Sequence, residues 1–113
     1  MIPSTVRIFV CMEPQDMRRS FDGLALAARQ IIGQDPRSGA MFVFANRRGR
    51  QLRVLWWEGG GYTLLCRRLH QALFQLPKPG DPSDRSVVID RHALGELIRG
   101  VPTTTKRATS TSS

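Results

Sequence analysis

The sequence predicts one small α+β domain whose sheet is a mainly antiparallel meander, with one helix after the first strand and one C-terminal helix. Short runs of β-branched and aromatic residues, separated by turn residues, predict the strands. Two segments carry apolar residues at three- and four-residue steps, the spacing of an amphipathic helix. The length of 113 residues fits one domain, which we expect to span residues 1–101. The Ser- and Thr-rich residues 102–113 are expected to form a disordered tail.

The first half of the chain predicts a strand, a helix and a second strand. The run Val-Arg-Ile-Phe-Val at residues 6–10 is typical of a strand. Asp16 is expected to cap the first helix, whose apolar positions repeat every three or four residues until Gly33 ends it. The compact apolar run Met41–Ala45 predicts the next strand.

The second half of the chain predicts a hairpin, two shorter strands and the final helix. The four strands are expected over residues 52–57, 62–69, 73–76 and 86–89. A proline-rich connection over residues 77–85 has no apolar residue to anchor it in a core. Asp90 is expected to cap the last helix and Gly100 to end it.

The charge balance is strongly basic and favours a polyanionic partner. Lys and Arg total 17 against 9 Asp and Glu, which gives a net charge of +8, and only two of the 17 are lysine. A guanidinium is always ionised and grips a phosphate with two parallel hydrogen bonds, so nucleic acid is the expected class of partner. An arginine excess also follows from genome base composition, so the charge by itself names no partner.

The sequence has no pattern typical of an enzyme or a membrane protein. Nuclease chemistry needs carboxylates gathered around divalent metal, whereas the aspartates here fall at predicted helix starts and turns: Asp16, Asp22, Asp35, Asp81, Asp84 and Asp90. Cys11 and Cys66 have no Cys or His at metal-ligand spacing and are expected to be buried free thiols. No apolar stretch reaches the roughly 18 residues of a membrane span. We therefore predict a cytoplasmic protein with no catalytic residue, metal or cofactor.

Six arginines of the central strands form the main candidate site. Three stand in one loop, one in the next strand and two at the end of the return strand; we call these residues the meander arginines: Arg47, Arg48, Arg50, Arg53, Arg67 and Arg68. If the two strands pair around a turn at residues 58–61, Arg53 lies beside residues 66–68. The six cations would then share one basic edge, a candidate track for DNA phosphates.

A second basic pair, Arg18 and Arg19, falls at the predicted start of the first helix. Cations are unfavourable there, because the positive end of the helix dipole favours negative charge. A binding surface for phosphate or for an acidic partner explains the pair. An intramolecular bridge to Glu13, Asp16 or Asp22 explains it equally well.

Several linked blocks of residues resemble one protein family. The run Asp-Met-Arg-Arg-Ser-Phe-Asp-Gly-Leu at residues 16–24 is similar to the family signature Asp-Met-Arg-Lys-Gly-Phe-Asp-Gly-Leu. Further blocks follow in the family's order: Phe42-Val-Phe44, Asn46-Arg47-Arg48, Val54-Leu55-Trp56-Trp57-Glu58, Gly61-Tyr62 and Arg67-Arg68-Leu69. Over residues 6–101 the chain resembles the TnpB-type accessory proteins of the insertion sequence 66 transposon family, which are distinct from the RNA-guided nucleases of the same name.

The resemblance implies a non-catalytic protein that assists bacterial DNA transposition. Its implied partners are transposon DNA, a separate transposase and the other accessory protein of the element. On this interpretation the meander arginines bind DNA and help to place the transposase at an element end. The alternative is a protein-interaction module in which Arg18, Arg19 and the basic edge meet acidic surfaces of the transposase or another accessory subunit, without direct DNA binding.

Overall fold

The chain folds into a five-stranded sheet with one helix on each face, in a computed structural model that describes residues 5–103. In chain order the elements are β1 (Ile8–Cys11), α1 (Phe21–Ala27, continued by a π-helical turn over Ala28–Ile32), β2 (Met41–Ala45), β3 (Gln51–Glu58), β4 (Gly61–Arg68), β5 (Ala72–Leu73), β6 (Ser86–Ile89), α2 (Arg91–Arg99) and β7 (Val101–Pro102). Neither helix of this described part is long and apolar enough to cross a membrane. The α+β class is confirmed.

The sheet has the strand order β4-β3-β2-β1-β6, so the predicted meander is confirmed for β2, β3 and β4 only. The first strand lies next to β2 and runs parallel to it, with Ile8 opposite Met41. Parallel neighbours require a crossover connection, and α1 provides it across one face of the sheet. The other neighbouring pairs of this sheet are antiparallel, and β6 joins the outer side of β1.

Both faces of the sheet are covered, because alternate residues of each strand point to opposite sides. On the α2 face, the helix packs on a buried cluster that includes Ile8, Val10, Met41, Val43, Leu52, Val54, Leu94 and Leu97. On the α1 face, the buried cluster includes Phe9, Cys11, Leu24, Ala27, Ala28, Phe42, Phe44 and Leu55. Every residue of β1 and β2 is buried, which explains why these strands are continuous apolar runs in the sequence.

The first helix begins at Phe21, so the prediction that Asp16 caps it is wrong. Ser20 occupies the N-cap position. Asp16 instead closes a turn: its carboxylate accepts the backbone N–H of Arg18 at 2.9 Å, a local bond that competes with helix formation. The predicted end of the helix is confirmed, since Gly33 follows its last turn with φ of 79°.

The C-terminal helix is capped as predicted. The Asp90 carboxylate accepts the backbone N–H of Ala93 at 2.8 Å, and Gly100 follows the helix with φ of 79°. The strand expected over residues 73–76 is shorter and pairs in a second, two-stranded sheet with β7. Pro102, placed at the start of the predicted tail, is therefore part of β7; the rest of that prediction, from residue 104 onwards, lies outside the described residues.

Candidate nucleic-acid interface

Two loops meet at the carboxyl end of the sheet, where the parallel strands β1 and β2 both stop. The carboxyl ends of parallel strands lie on the same side, so the segments that follow them are neighbours. The backbone N–H of the buried Gln15 donates to the Ala45 carbonyl at 2.9 Å and holds the two loops together. Between the loops lies a cleft of about 540 Å³ that we call the basic cleft; its charged lining residues are Asp16, Arg18, Arg47 and Arg48.

The turn between β2 and β3 presents two of these cations to solvent. The Asn46 side-chain oxygen accepts the backbone N–H groups of Arg50 and Gln51 at 3.0 and 3.1 Å, which fixes the turn. Gly49 adopts a positive φ of 72°, a conformation that a residue with a Cβ rarely takes. Arg47 and Arg48 stand exposed at the tip of the turn and form no hydrogen bond or ion pair with residues 5–103. Their guanidinium donors are therefore open to an external anion.

The next two meander arginines are partly engaged with the backbone. One guanidinium N–H of Arg50 donates to the His70 carbonyl at 3.3 Å. The half-buried Arg53 donates to the Arg19 carbonyl at 2.8 Å, which ties β3 to the loop before α1. A guanidinium carries five N–H donors, so each bond leaves others available. Neither residue lines the basic cleft, although each neighbours one of its lining segments in the sequence.

The last two meander arginines pair with β3 in the predicted register. Arg67 lies opposite Leu52, Arg68 opposite Gln51, and Arg53 opposite Cys66. Alternation along β4 nevertheless sends the two arginines to opposite faces. Arg67 lies on the α2 face, where its Nε–H donates to the Ile98 carbonyl at 2.8 Å, whereas Arg68 is exposed on the α1 face. The single basic edge expected from the sequence is therefore wrong for Arg67, because the sheet separates it from the others.

Arg18 and Arg19 precede the first helix rather than forming its first turn. Arg18 donates from Nε and Nη2 to the Asp16 carboxylate at 2.6 to 3.1 Å. The intramolecular bridge considered from the sequence is thus present, and it involves Asp16. Hydrogen bonds from the Arg18 guanidinium lower the pKa of the Asp16 carboxyl to about 2. Arg19 packs over Gly23 and donates to the Gln15 side chain at 3.3 Å.

The sequence did not show that members of the two basic groups line one cleft. The DNA-binding interpretation rested on the meander arginines alone, whereas the parallel crossover places Arg18 in the same cleft as Arg47 and Arg48. A strand, a helix and a second buried strand in succession are typical of a parallel unit. That order was the signal that could have located the cleft.

The carboxylates are dispersed and mostly engaged in turns. Asp35, Asp81 and Asp90 each accept a backbone N–H two or three residues further along, as expected for turn and cap aspartates. Hydrogen bonds from Ser83 lower the pKa of Asp81. Within residues 5–103, no three His, Cys, Asp or Glu side chains are grouped so that they could hold a metal ion.

The two cysteines differ in environment. Cys11 is buried as expected, and burial raises the pKa of its thiol. Cys66 is exposed on the outermost strand, so the prediction that it is buried is wrong. The mixed run around it led to that prediction, which missed that β4 has a neighbour on one side only.

These features define a small α+β domain with an arginine-lined cleft at the carboxyl end of its sheet. The chain belongs to the family described as IS66 Orf2 like protein, whose model matches residues 6–108. The family has an accessory role in transposition of IS66 insertion sequences, which implies a transposase as partner. The resemblance found in the sequence is thereby confirmed.

Two curated relatives come from Sinorhizobium fredii (strain NBRC 101917 / NGR234). The uncharacterized protein y4hO is 32% identical over 103 residues, which cover 89% of this chain and 87% of the relative. The uncharacterized protein y4jC is 34% identical over 76 residues, which cover 67% of this chain and 65% of the relative. No solved structure matches the chain significantly. Both relatives are consistent with the family assignment, and neither name states an activity.

Proposed function

We propose that this protein is a non-catalytic accessory protein of transposition that binds the DNA backbone through the basic cleft and helps to position a separate transposase. One observation carries the proposal: Arg18, Arg47 and Arg48 converge from two loops that are distant in the sequence. Among the described residues that line the cleft, Asp16 is the only acid, and it is already bonded to Arg18. The cleft therefore presents a net positive charge.

The expected binding mode is electrostatic and largely independent of DNA sequence. Guanidinium contacts to phosphate fix the position of a protein on a duplex but carry no base information. Arg19, Arg50 and Arg68 flank the three cleft arginines, so a duplex lying across this end of the sheet meets four to six cations. Each phosphate neutralised releases counterions, which predicts a log-log salt slope of about −3.6 to −5.4.

The test is a salt titration of duplex binding with a variant that leaves the fold's own contacts intact. Arg47→Ala with Arg48→Ala removes two cations that make no internal bond in the described chain, and should flatten the slope by about 1.8. Arg7→Ala with Arg29→Ala is the matched control, because both residues are exposed and lie towards the opposite end of the sheet. Equal slopes for the two double variants would exclude the basic cleft as the interface.

Binding to an acidic surface of the transposase is the second candidate function. The Arg18 guanidinium already holds a carboxylate through three hydrogen bonds, so the cleft is able to accept an acidic side chain. Co-purification of the transposase with this protein after nuclease treatment favours direct protein contact. Loss of the association when DNA is removed favours DNA binding as the primary role.

The non-catalytic part of the proposal has its own test. The described carboxylates are dispersed, with no three acidic, Cys or His side chains grouped around a metal position, whereas metal-assisted strand cleavage needs carboxylates gathered. Incubation of the purified protein with supercoiled DNA and magnesium or manganese should leave the DNA intact. Reproducible nicking that an aspartate-to-asparagine variant abolishes would overturn this part.

A further inference from the structure

One side of the sheet ends in a long strand whose outer backbone groups have no hydrogen-bond partner among residues 5–103. β4 is the outermost strand, next to β3. The Leu69 N–H donates to the Arg50 carbonyl at 2.8 Å, so odd-numbered residues of β4 direct their backbone groups towards β3. The even-numbered residues direct theirs outwards, and these groups find no partner in the part of the chain that the structure describes: Tyr62, Leu64, Cys66 and Arg68.

The first six residues of this strand lack the features that normally protect a sheet edge. Such edges are kept short, or carry proline or charged side chains, which on β4 stand only at its last two residues. β4 is eight residues long, contains neither proline nor lysine, and is uncharged from Gly61 to Cys66. Leu65 is 37% exposed on it. The opposite outer strand, β6, has four residues and follows the proline-rich connection, so it is the better protected side.

We propose that β4 pairs antiparallel with β4 of a second copy of this chain, so that two sheets join into one continuous sheet in a homodimer. The charge pattern of the strand is complementary to itself in the antiparallel orientation. Its two charges, Arg67 and Arg68, stand together at one end. Antiparallel pairing places each pair of arginines beside the uncharged start of the other strand, whereas parallel pairing would place arginine against arginine.

The register follows from the outward backbone groups. With Leu65 opposite Leu65 of the second copy, all four outward residues pair: Tyr62 with Arg68 and Leu64 with Cys66, in both directions. This alignment also keeps the α1 face of one copy continuous with the α1 face of the other. It places the Arg68 guanidinium beside the Tyr62 ring on that face, where cation–π attraction is favourable. A register shifted by two residues leaves one of the four outward residues of β4 without a partner in β4 of the second copy.

Disulfide trapping tests this register directly. In a Cys66→Ser background, Leu65→Cys places two thiols in a non-hydrogen-bonded pair with Cα atoms about 4.5 Å apart, within the range that a disulfide spans. Mild oxidation should convert most of the protein to a covalent dimer. Thr63→Cys in the same background is the matched control, because its two copies lie four residues out of register, roughly 14 Å apart. Equal cross-linking at the two positions, or none at residue 65, would overturn the proposal.

Sedimentation of the unmodified protein provides the second measurement. The parent chain should pass from monomer to dimer between low and high micromolar concentration. Cys66→Pro removes an outward N–H without touching the ladder to β3, a position where an outer strand tolerates proline. This variant should stay monomeric with an unchanged circular dichroism spectrum. A parent chain that remains monomeric throughout, as expected if the strand is reserved for another protein, would refute the homodimer.

Discussion

Replacing Asp16 by Asn tests whether the Asp16 carboxylate competes with DNA for the basic cleft. The carboxylate occupies the Arg18 guanidinium with bonds as short as 2.6 Å, although the Arg18 side chain is 92% exposed. With a pKa of about 2, the group stays ionised throughout the pH range of a binding assay. Asn keeps the shape of the side chain and can still accept the backbone N–H of Arg18. The substitution therefore removes the charge and leaves the turn.

We expect Asp16→Asn to bind DNA more tightly than the parent, by the equivalent of one additional phosphate contact. A phosphate no longer has to displace a carboxylate from Arg18, so the log-log salt slope should steepen by about 0.9. Relative to binding at 1 M salt, that slope corresponds to roughly eightfold tighter binding at 0.1 M. Both quantities follow from fluorescence anisotropy of a labelled duplex titrated at several salt concentrations.

Asp35→Asn is the matched control. Asp35 also accepts the backbone N–H two residues further along, at 2.9 Å, and stands in the loop before β2, at the other end of the sheet. The Asp35→Asn variant loses the same charge as Asp16→Asn and should leave the salt slope of DNA binding unchanged. If Asp16→Asn binds no more tightly than the parent, or if Asp35→Asn has the same effect, the cleft does not contact DNA through Arg18.

Two further predictions concern stability and thiol reactivity. Gly100→Ala should destabilise the fold by about 2 kcal/mol or more, because φ is 79° and the new Cβ would lie 2.5 Å from the Leu69 side chain. Gly95→Ala, in α2 with open space around it, should instead stabilise by about 0.5–1 kcal/mol; urea unfolding measures both, and equal signs would contradict this account. In native protein a thiol reagent should label Cys66 only, because burial raises the pKa of Cys11 and blocks access; labelling of both at equal rates would contradict the assignment.

The strands were largely predictable because their patterns are local. Met41–Ala45 and Ser86–Ile89 agree with the expected bounds, and the paired strands β3 and β4 differ by one residue at each end. The start of α1 was not predictable from periodicity alone. Aspartate is a favourable N-cap residue, but the Asp16 carboxylate accepts the backbone N–H of Arg18, two residues further along, in a turn that precedes the helix.

The candidate site was predictable in composition and only partly in geometry. The hairpin register placed Arg53 near residues 66–68, because the turn determines the alignment of two adjacent strands. The same alternation separates Arg67 from Arg68, and a helix that follows much later in the chain accepts the Arg67 hydrogen bond. The presence of Arg18 and Arg47 in one cleft depends on the parallel pairing of β1 with β2, which the order strand, helix, strand indicates but which neither loop shows by itself.

The position of β1 in the sheet has a consequence for synthesis of the protein. Among the strands of the five-stranded sheet, β1 is synthesised first, yet one of its two neighbours is β6, which is synthesised last. Pairings so distant in sequence form slowly, since their loop-closure entropy is lost before the contacts are gained. A nascent chain that stops before residue 86 leaves the apolar β1 with one side unpaired, a surface at which separate molecules aggregate. The five-stranded sheet can therefore be completed only after β6 has been synthesised.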